Sequence, residues 1–229
     1  MRKDTLTYIK ETVISTLLPI FFCGMILLFL SWQNVPYNAS FLEITSAVLG
    51  ISFVLIIRNP NNYLGFPIGI LSSLLLSLHF FQINLQATAI LYLLFIPLQF
   101  YTMINWLRGN KKKGNSLHPS FLTRTNFLYI SISIIPLSGL LMLAFRSNTI
   151  LVSLIECVFV ALNILSNILI IRKKTEAWFF WIISNFVGGI LFTYKASYFT
   201  VLLHLVFIML NLLALIRWTK ETRMEKTSE

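Results

Sequence analysis

The chain has 229 residues, of which 57% are hydrophobic and only 11% charged. Soluble domains carry about 25% charged residues, so this composition excludes a soluble globular protein and describes an integral membrane one. The net charge of +10 would suit nucleic acid, but the cations stand at the ends of apolar runs, where they orient helices. A nucleic-acid partner is therefore excluded and the lipid bilayer is the expected surrounding.

A spanning helix needs roughly 20 apolar residues. In chain order such runs fall at about 13–32, 39–57, 63–82, 86–107, 126–145, 149–171, 177–194 and 198–218. The fold class is thus all-α, a polytopic membrane protein of eight transmembrane helices. The first run is long and ends without a small-residue cleavage site, so it reads as a retained span and not a signal peptide. With eight spans, only Arg146 and Lys195 fall on one side, and every other Lys and Arg falls on the opposite side. That asymmetry predicts both termini in the cytoplasm.

The basic, Gly- and Pro-containing connector 108–125 divides the chain into halves that resemble each other. Glu43 is answered by Glu156, and "IIRNP" (56–60) by "IIRKK" (170–174). Tyr92 is answered by His204, Gln99 by Asn211 and Trp106 by Trp218, each at an offset of 112. Matched polar residues in order signal an internal repeat. The predicted organisation is a tail and accessory span (1–38), a three-helix unit (39–107), the basic loop with one linker span (108–148), a second unit (149–218) and a cytoplasmic tail (219–229). One linker span makes the two units parallel.

Polar groups inside hydrocarbon are costly and face a neighbouring helix or a cavity. Trp178, Trp181 and Asn185 share one face of the seventh span, in "RKKTEAWFFWIISNFVGG" (172–189). Asn163 and Asn167 share a stripe with Glu156 on the sixth. His204 and Asn211 are seven apart on the eighth span, as Tyr92 and Gln99 are on the fourth. Each has a plainer explanation. Trp178 suits an interfacial aromatic belt, His204 a satisfied bundle histidine, Asn163 and Asn167 helix-to-helix bonding, Glu43 a solvated interface, and Gly188 and Gly189 ordinary packing. Cys23 and Cys157 read as buried small hydrophobes. The histidines lack the partners of a metal site, so no metal and no cofactor is expected. Glu156 with His204 is the one pair an enzyme could use, and nothing orients them, so the chain reads as a non-enzyme.

No Lys or Arg lies mid-span. A phosphate passing through would find no cation, and its desolvation would be costly. Indole faces attract flat cations, and buried amides read polar edges. The interior therefore suits a flat aromatic small molecule, neutral or cationic.

These features resemble the PnuC family of bacterial nicotinamide riboside transporters. The resemblance rests on Trp178-x-x-Trp181-x-x-x-Asn185 after a basic loop, on the three-one-three architecture, and on "QFYTMINW" (99–106) and "NLLALIRW" (211–218); it covers about 39–218. It implies a fold similar to SWEET sugar transporters in the inner membrane. It also implies facilitated diffusion of nicotinamide riboside for NAD biosynthesis, with trapping by a cytoplasmic kinase, and a homo-oligomer is compatible with it. By motif match, Trp178, Trp181 and Asn185 would contact the substrate, with Gln99 and Asn211 as further carry-overs. The first unit has Leu64 and Pro67 where the second has its tryptophans, which leaves thiamine and riboflavin as competing cargoes. Proton-coupled uptake and a non-transporting membrane subunit are compatible with the same residues.

Overall fold

The computed structural model describes residues 2–32, 40–59, 62–108, 118–145 and 149–228. Expectations placed on Lys111, Lys112, Lys113 and Arg146 lie outside the described residues. Eight helices are present among those described: α1 (Arg2–Trp32), α2 (Phe41–Ile57), α3 (Gly65–Gln82), α4 (Gln86–Arg108), α5 (Arg124–Ala144), α6 (Ile150–Ile171), α7 (Glu176–Tyr194) and α8 (Tyr198–Ser228). Six are long and apolar enough to cross a membrane; the apolar stretch of α1, Leu17–Trp32, and α2 are shorter. The chain is a multi-pass membrane protein.

The predicted spans coincide with the helices except at two ends. The first helix begins at Arg2, not near residue 13, and α8 runs through Ser228, not stopping at 218. Residues 219–228 contain neither Gly nor Pro, and Arg217 Nε donates to Glu221 Oε1 at 3.1 Å one turn on, so nothing ends the helix where hydrophobicity ends.

Capping residues set several helix starts. Ser40, Thr123 and Thr149 accept from the backbone N–H three residues on, at 3.1, 3.3 and 3.3 Å, satisfying donors that lack an intrahelical partner. Three helices end in a left-handed residue: Asn84 after α3, Lys173 after α6 and Ala196 after α7, with φ of 57°, 48° and 52°. The next N–H folds back in each case, as Leu85 N does to Phe80 O and Ser197 N to Phe192 O. Left-handed backbone costs a β-carbon about 1–2 kcal/mol, and Asn tolerates it better than Ala. Ala196→Gly is therefore expected to raise the thermal midpoint in detergent, and Asn84→Gly to raise it less.

Helix α3 packs between α2 and α4, and α7 between α6 and α8; α4 lies on α6, α8 on α2, α5 on α6, and α1 on α2 and α8. Four polar crossings fix the directions. Thr88 donates to Glu156 Oε1 from both N and Oγ1 at 3.0 Å, while Thr200 and Ser197 donate to Glu43 Oε1. At the opposite ends of the same helices Trp106 Nε1 donates to Ile170 O at 3.1 Å and Trp218 Nε1 to Arg58 O at 3.0 Å. Starts meet starts and ends meet ends, so α4 runs parallel to α6, and α2 to α8. Glu43, expected at a solvated interface, is instead buried, as Glu156 is. A buried carboxylate persists because donors across the helix boundary satisfy it.

Candidate functional site

Between these crossings lies a cavity whose empty space, counting its open mouth, is about 620 Å³. Trp181 and Asn185 of α7, Asn163 and Asn167 of α6, Tyr92 and Gln99 of α4 and Asn211 of α8 all line it. Gln99 and Asn211 each stand eleven residues past Thr88 and Thr200 and seven before Trp106 and Trp218. At 1.5 Å per residue, that is roughly 16 Å from one set of crossings and 10 Å from the other.

The amides are held in a particular sense. Gln99 Nε2 donates to Ser73 Oγ at 2.7 Å, Asn185 Nδ2 to Trp181 O at 2.7 Å and Asn167 Nδ2 to Asn163 O at 3.0 Å. Asn163 Nδ2 donates to Phe159 O and to Ser184 Oγ. With their nitrogens engaged, these side chains have carbonyl oxygens left to offer. Gln99 Oε1 and Asn211 Oδ1 are buried with no protein donor. Among the described residues that line the cavity, none is Lys, Arg, Asp, Glu or His. The result is a cation-free pocket of acceptors walled by Trp181, Tyr92, Phe53, Phe95 and Phe207.

Trp178 and His204 do not line it. Trp178 is fully buried, edge-on to Trp181 at 5.1 Å and to Trp218 at 5.4 Å. It stands behind Trp181, in neither an interfacial belt nor the pocket. His204 is packed among Phe159, Phe192 and Phe207 and its Nδ1 donates to Thr200 O at 2.8 Å. A β-carbon on Gly188 would press into this imidazole, so Gly188 makes room for His204, while Gly189 faces open space. Glu156 bonds Thr88, and His204 bonds Thr200.

Gly69, Ser72, Ser73, Phe53, Phe95 and Phe207 line the cavity as well and were not singled out from the sequence. The signal was available. The offset of 112 that relates Gln99 to Asn211 relates Ser73 to Asn185, Gly69 to Trp181 and Phe66 to Trp178. Phe66 packs edge-on against Trp106 at 5.1 Å, as Trp178 does against Trp218. The counterparts of the two tryptophans are thus Phe66 and Gly69, not Leu64 and Pro67; Leu64 is half exposed at the start of α3.

A family model described as "Nicotinamide mononucleotide transporter" matches residues 40–220. The chain belongs to this family, the PnuC transporters. The match takes in α2 to α7 and most of α8 and leaves α1 outside. The chain also shares its fold with a solved structure, "Crystal structure of the Vitamin B3 transporter PnuC", at a TM-score of 0.74 and 18% identity, over 96% of this chain and 98% of that one. No curated protein matches it.

At the Trp106 end of the pocket, Lys173 is buried with Nζ 4.4 Å from the Trp106 ring. Burial pulls its ammonium from the ordinary 10.5 to about 8, with the Glu221 charge opposing. Between those values the unfolded chain holds a proton that the folded one lacks, so stability rises with pH across that window. Thermal midpoints should climb from pH 8 to pH 10, and Lys173→Met should flatten the rise.

Proposed function

We propose that this PnuC-family chain carries nicotinamide riboside across the bacterial inner membrane by facilitated diffusion, with trapping by a cytoplasmic kinase. The observation that carries the reading is the pocket: acceptor oxygens, indole and phenyl faces, and no fixed cation. Nicotinamide riboside offers a flat pyridinium cation to Trp181 and hydroxyl and carboxamide donors to the orphaned Gln99 and Asn211 oxygens. The mononucleotide adds a phosphate that would lie in this pocket without a counter-charge. Nicotinamide lacks both the charge and the ribose donors. Riboflavin is larger and uncharged, and thiamine, of similar size and also cationic, brings an aminopyrimidine in place of the ribose and carboxamide donors.

In this reading residues 39–107 and 149–218 are parallel repeats that rock about the pocket. The glutamate–threonine crossings close the outer end and the tryptophan–carbonyl crossings the inner end. The excess of Lys and Arg at the inner end supports a cytoplasmic position for both termini. Glu43 and Glu156 are tied up away from the cavity, which favours uniport over proton coupling.

Purified protein in vesicles decides it. Labelled riboside should equilibrate without chemical change, accumulate only with kinase and ATP inside, and ignore an imposed pH gradient. In a binding panel the riboside should be bound at least tenfold more tightly than the mononucleotide, nicotinamide, thiamine or riboflavin. Preferential passage of the mononucleotide, or accumulation without the kinase, would overturn the proposal.

A further inference from the structure

A second cavity lies away from the central one, where α5 meets α6. It measures about 780 Å³ counting its open side. Its roof is the segment ahead of α5, which is strapped to the α6–α7 turn: Ser120 N donates to Lys173 O at 3.0 Å, Thr175 N to Ser120 O at 3.1 Å and Leu122 N to Glu176 Oε1 at 2.9 Å. Arg172 and Lys174 line this upper part, and among the described residues no carboxylate joins them in the lining. Lys174 Nζ is steadied by Ser120 Oγ at 2.8 Å and Phe121 O at 3.4 Å, which fixes one charge in place.

Below the cations the lining turns apolar, with Ile130 of α5 and Ile168 and Leu169 of α6. Tyr129 and Ile168 are open on the outer surface, at 69% and 42% exposure. Along its whole length α5 buries only Ser138, so this side of the molecule faces hydrocarbon. Arg172 and Lys174 come one and three residues after α6 ends at Ile171, the level at which a leaflet's phosphates lie. Charge above, apolar wall below and an opening toward lipid match an amphiphile. A soluble anion would use the cations and gain nothing from the wall.

We propose that this crevice binds an anionic phospholipid, its phosphate between Arg172 and Lys174 and an acyl chain along Ile130 and Ile168. Basic pockets between spanning helices take such headgroups, at about 1 kcal/mol per cation.

The test uses the full chain in nanodiscs of phosphatidylcholine with or without phosphatidylglycerol, reading retained lipid by native mass spectrometry and stability by thermal midpoint. Phosphatidylglycerol should be retained selectively and should raise the midpoint. Arg172→Gln with Lys174→Gln should weaken retention about 25-fold, two charges at about fivefold each, whereas Arg108→Gln, outside the crevice, should not. Ile168→Trp keeps both charges and fills the wall, and should also release the lipid. Four results would overturn the proposal: no preference for the anionic lipid, equal retention by the double variant and the Arg108 control, the same stabilisation by inorganic phosphate alone, or retention that Ile168→Trp leaves untouched. Loss of retention only when protomers dissociate would reassign the crevice to a second copy of the chain.

Discussion

Trp181→Ala is expected to weaken riboside binding at least tenfold, about 1.4 kcal/mol. Trp181 is the one tryptophan that lines the cavity, and a desolvated cation over an indole is worth on the order of 2 kcal/mol. The comparison that makes the result diagnostic is with Trp178, which touches Trp181 and Trp218 but not the pocket. Trp178→Phe should lower the thermal midpoint more than the affinity, because it thins the packing behind Trp181. Trp181→Phe should keep most of the affinity for the cationic riboside. Calorimetric titration of the three variants separates the roles. Equal affinity losses at both positions would mean that Trp181 acts through packing and not through its face.

Gly69→Ala should cost at least as much. A β-carbon there would overlap Gln99 Oε1 and press into the Phe53 ring. Gln99 would have to swing away, giving up its 2.7 Å bond to Ser73 and withdrawing an acceptor from the pocket. Losing that acceptor and displacing Phe53 together are expected to reduce binding by more than tenfold, about 1.4 kcal/mol or more. The mechanism makes a non-additive prediction. In a Gln99→Ala background the space is free, so adding Gly69→Ala should cost much less than it does alone. Additive losses would show that Phe53, not Gln99, transmits the effect.

The spans were readable because a bilayer fixes how long an apolar run must be, and the helices follow that length closely. Their continuation beyond the membrane was not readable from hydropathy, as α8 shows between 219 and 228. Most of the pocket was legible through its amides: in an apolar chain, Gln99, Asn163, Asn167, Asn185 and Asn211 are costly enough to stand out. Its glycine and serines were not, because small residues are ordinary at helix contacts and only the register of the repeat would have singled them out. Helical periodicity placed Trp178 on the same face as Trp181. It could not show that Trp218 covers the first and leaves the second open. Tyr92 and His204 sit at matched positions, yet only Tyr92 reaches the pocket, because the hollow at Gly188 draws the imidazole elsewhere.

The indole-to-carbonyl bonds of Trp106 and Trp218 bear on how such a chain could arise. The segment ending in Trp106 supplies the donor for one bond and, at Arg58, the acceptor for the other. Thr88 and Glu43 divide the pair at the opposite end in the same way. A protein of three helices carrying that donor and that acceptor would be self-complementary across a two-fold axis, the geometry of an isologous dimer. Two copies of such a half-length ancestor could therefore have closed on each other, and fusion through α5 would then have freed each copy to specialise. The indole retained at 181 opposite the glycine at 69 is the mark such a division of labour would leave.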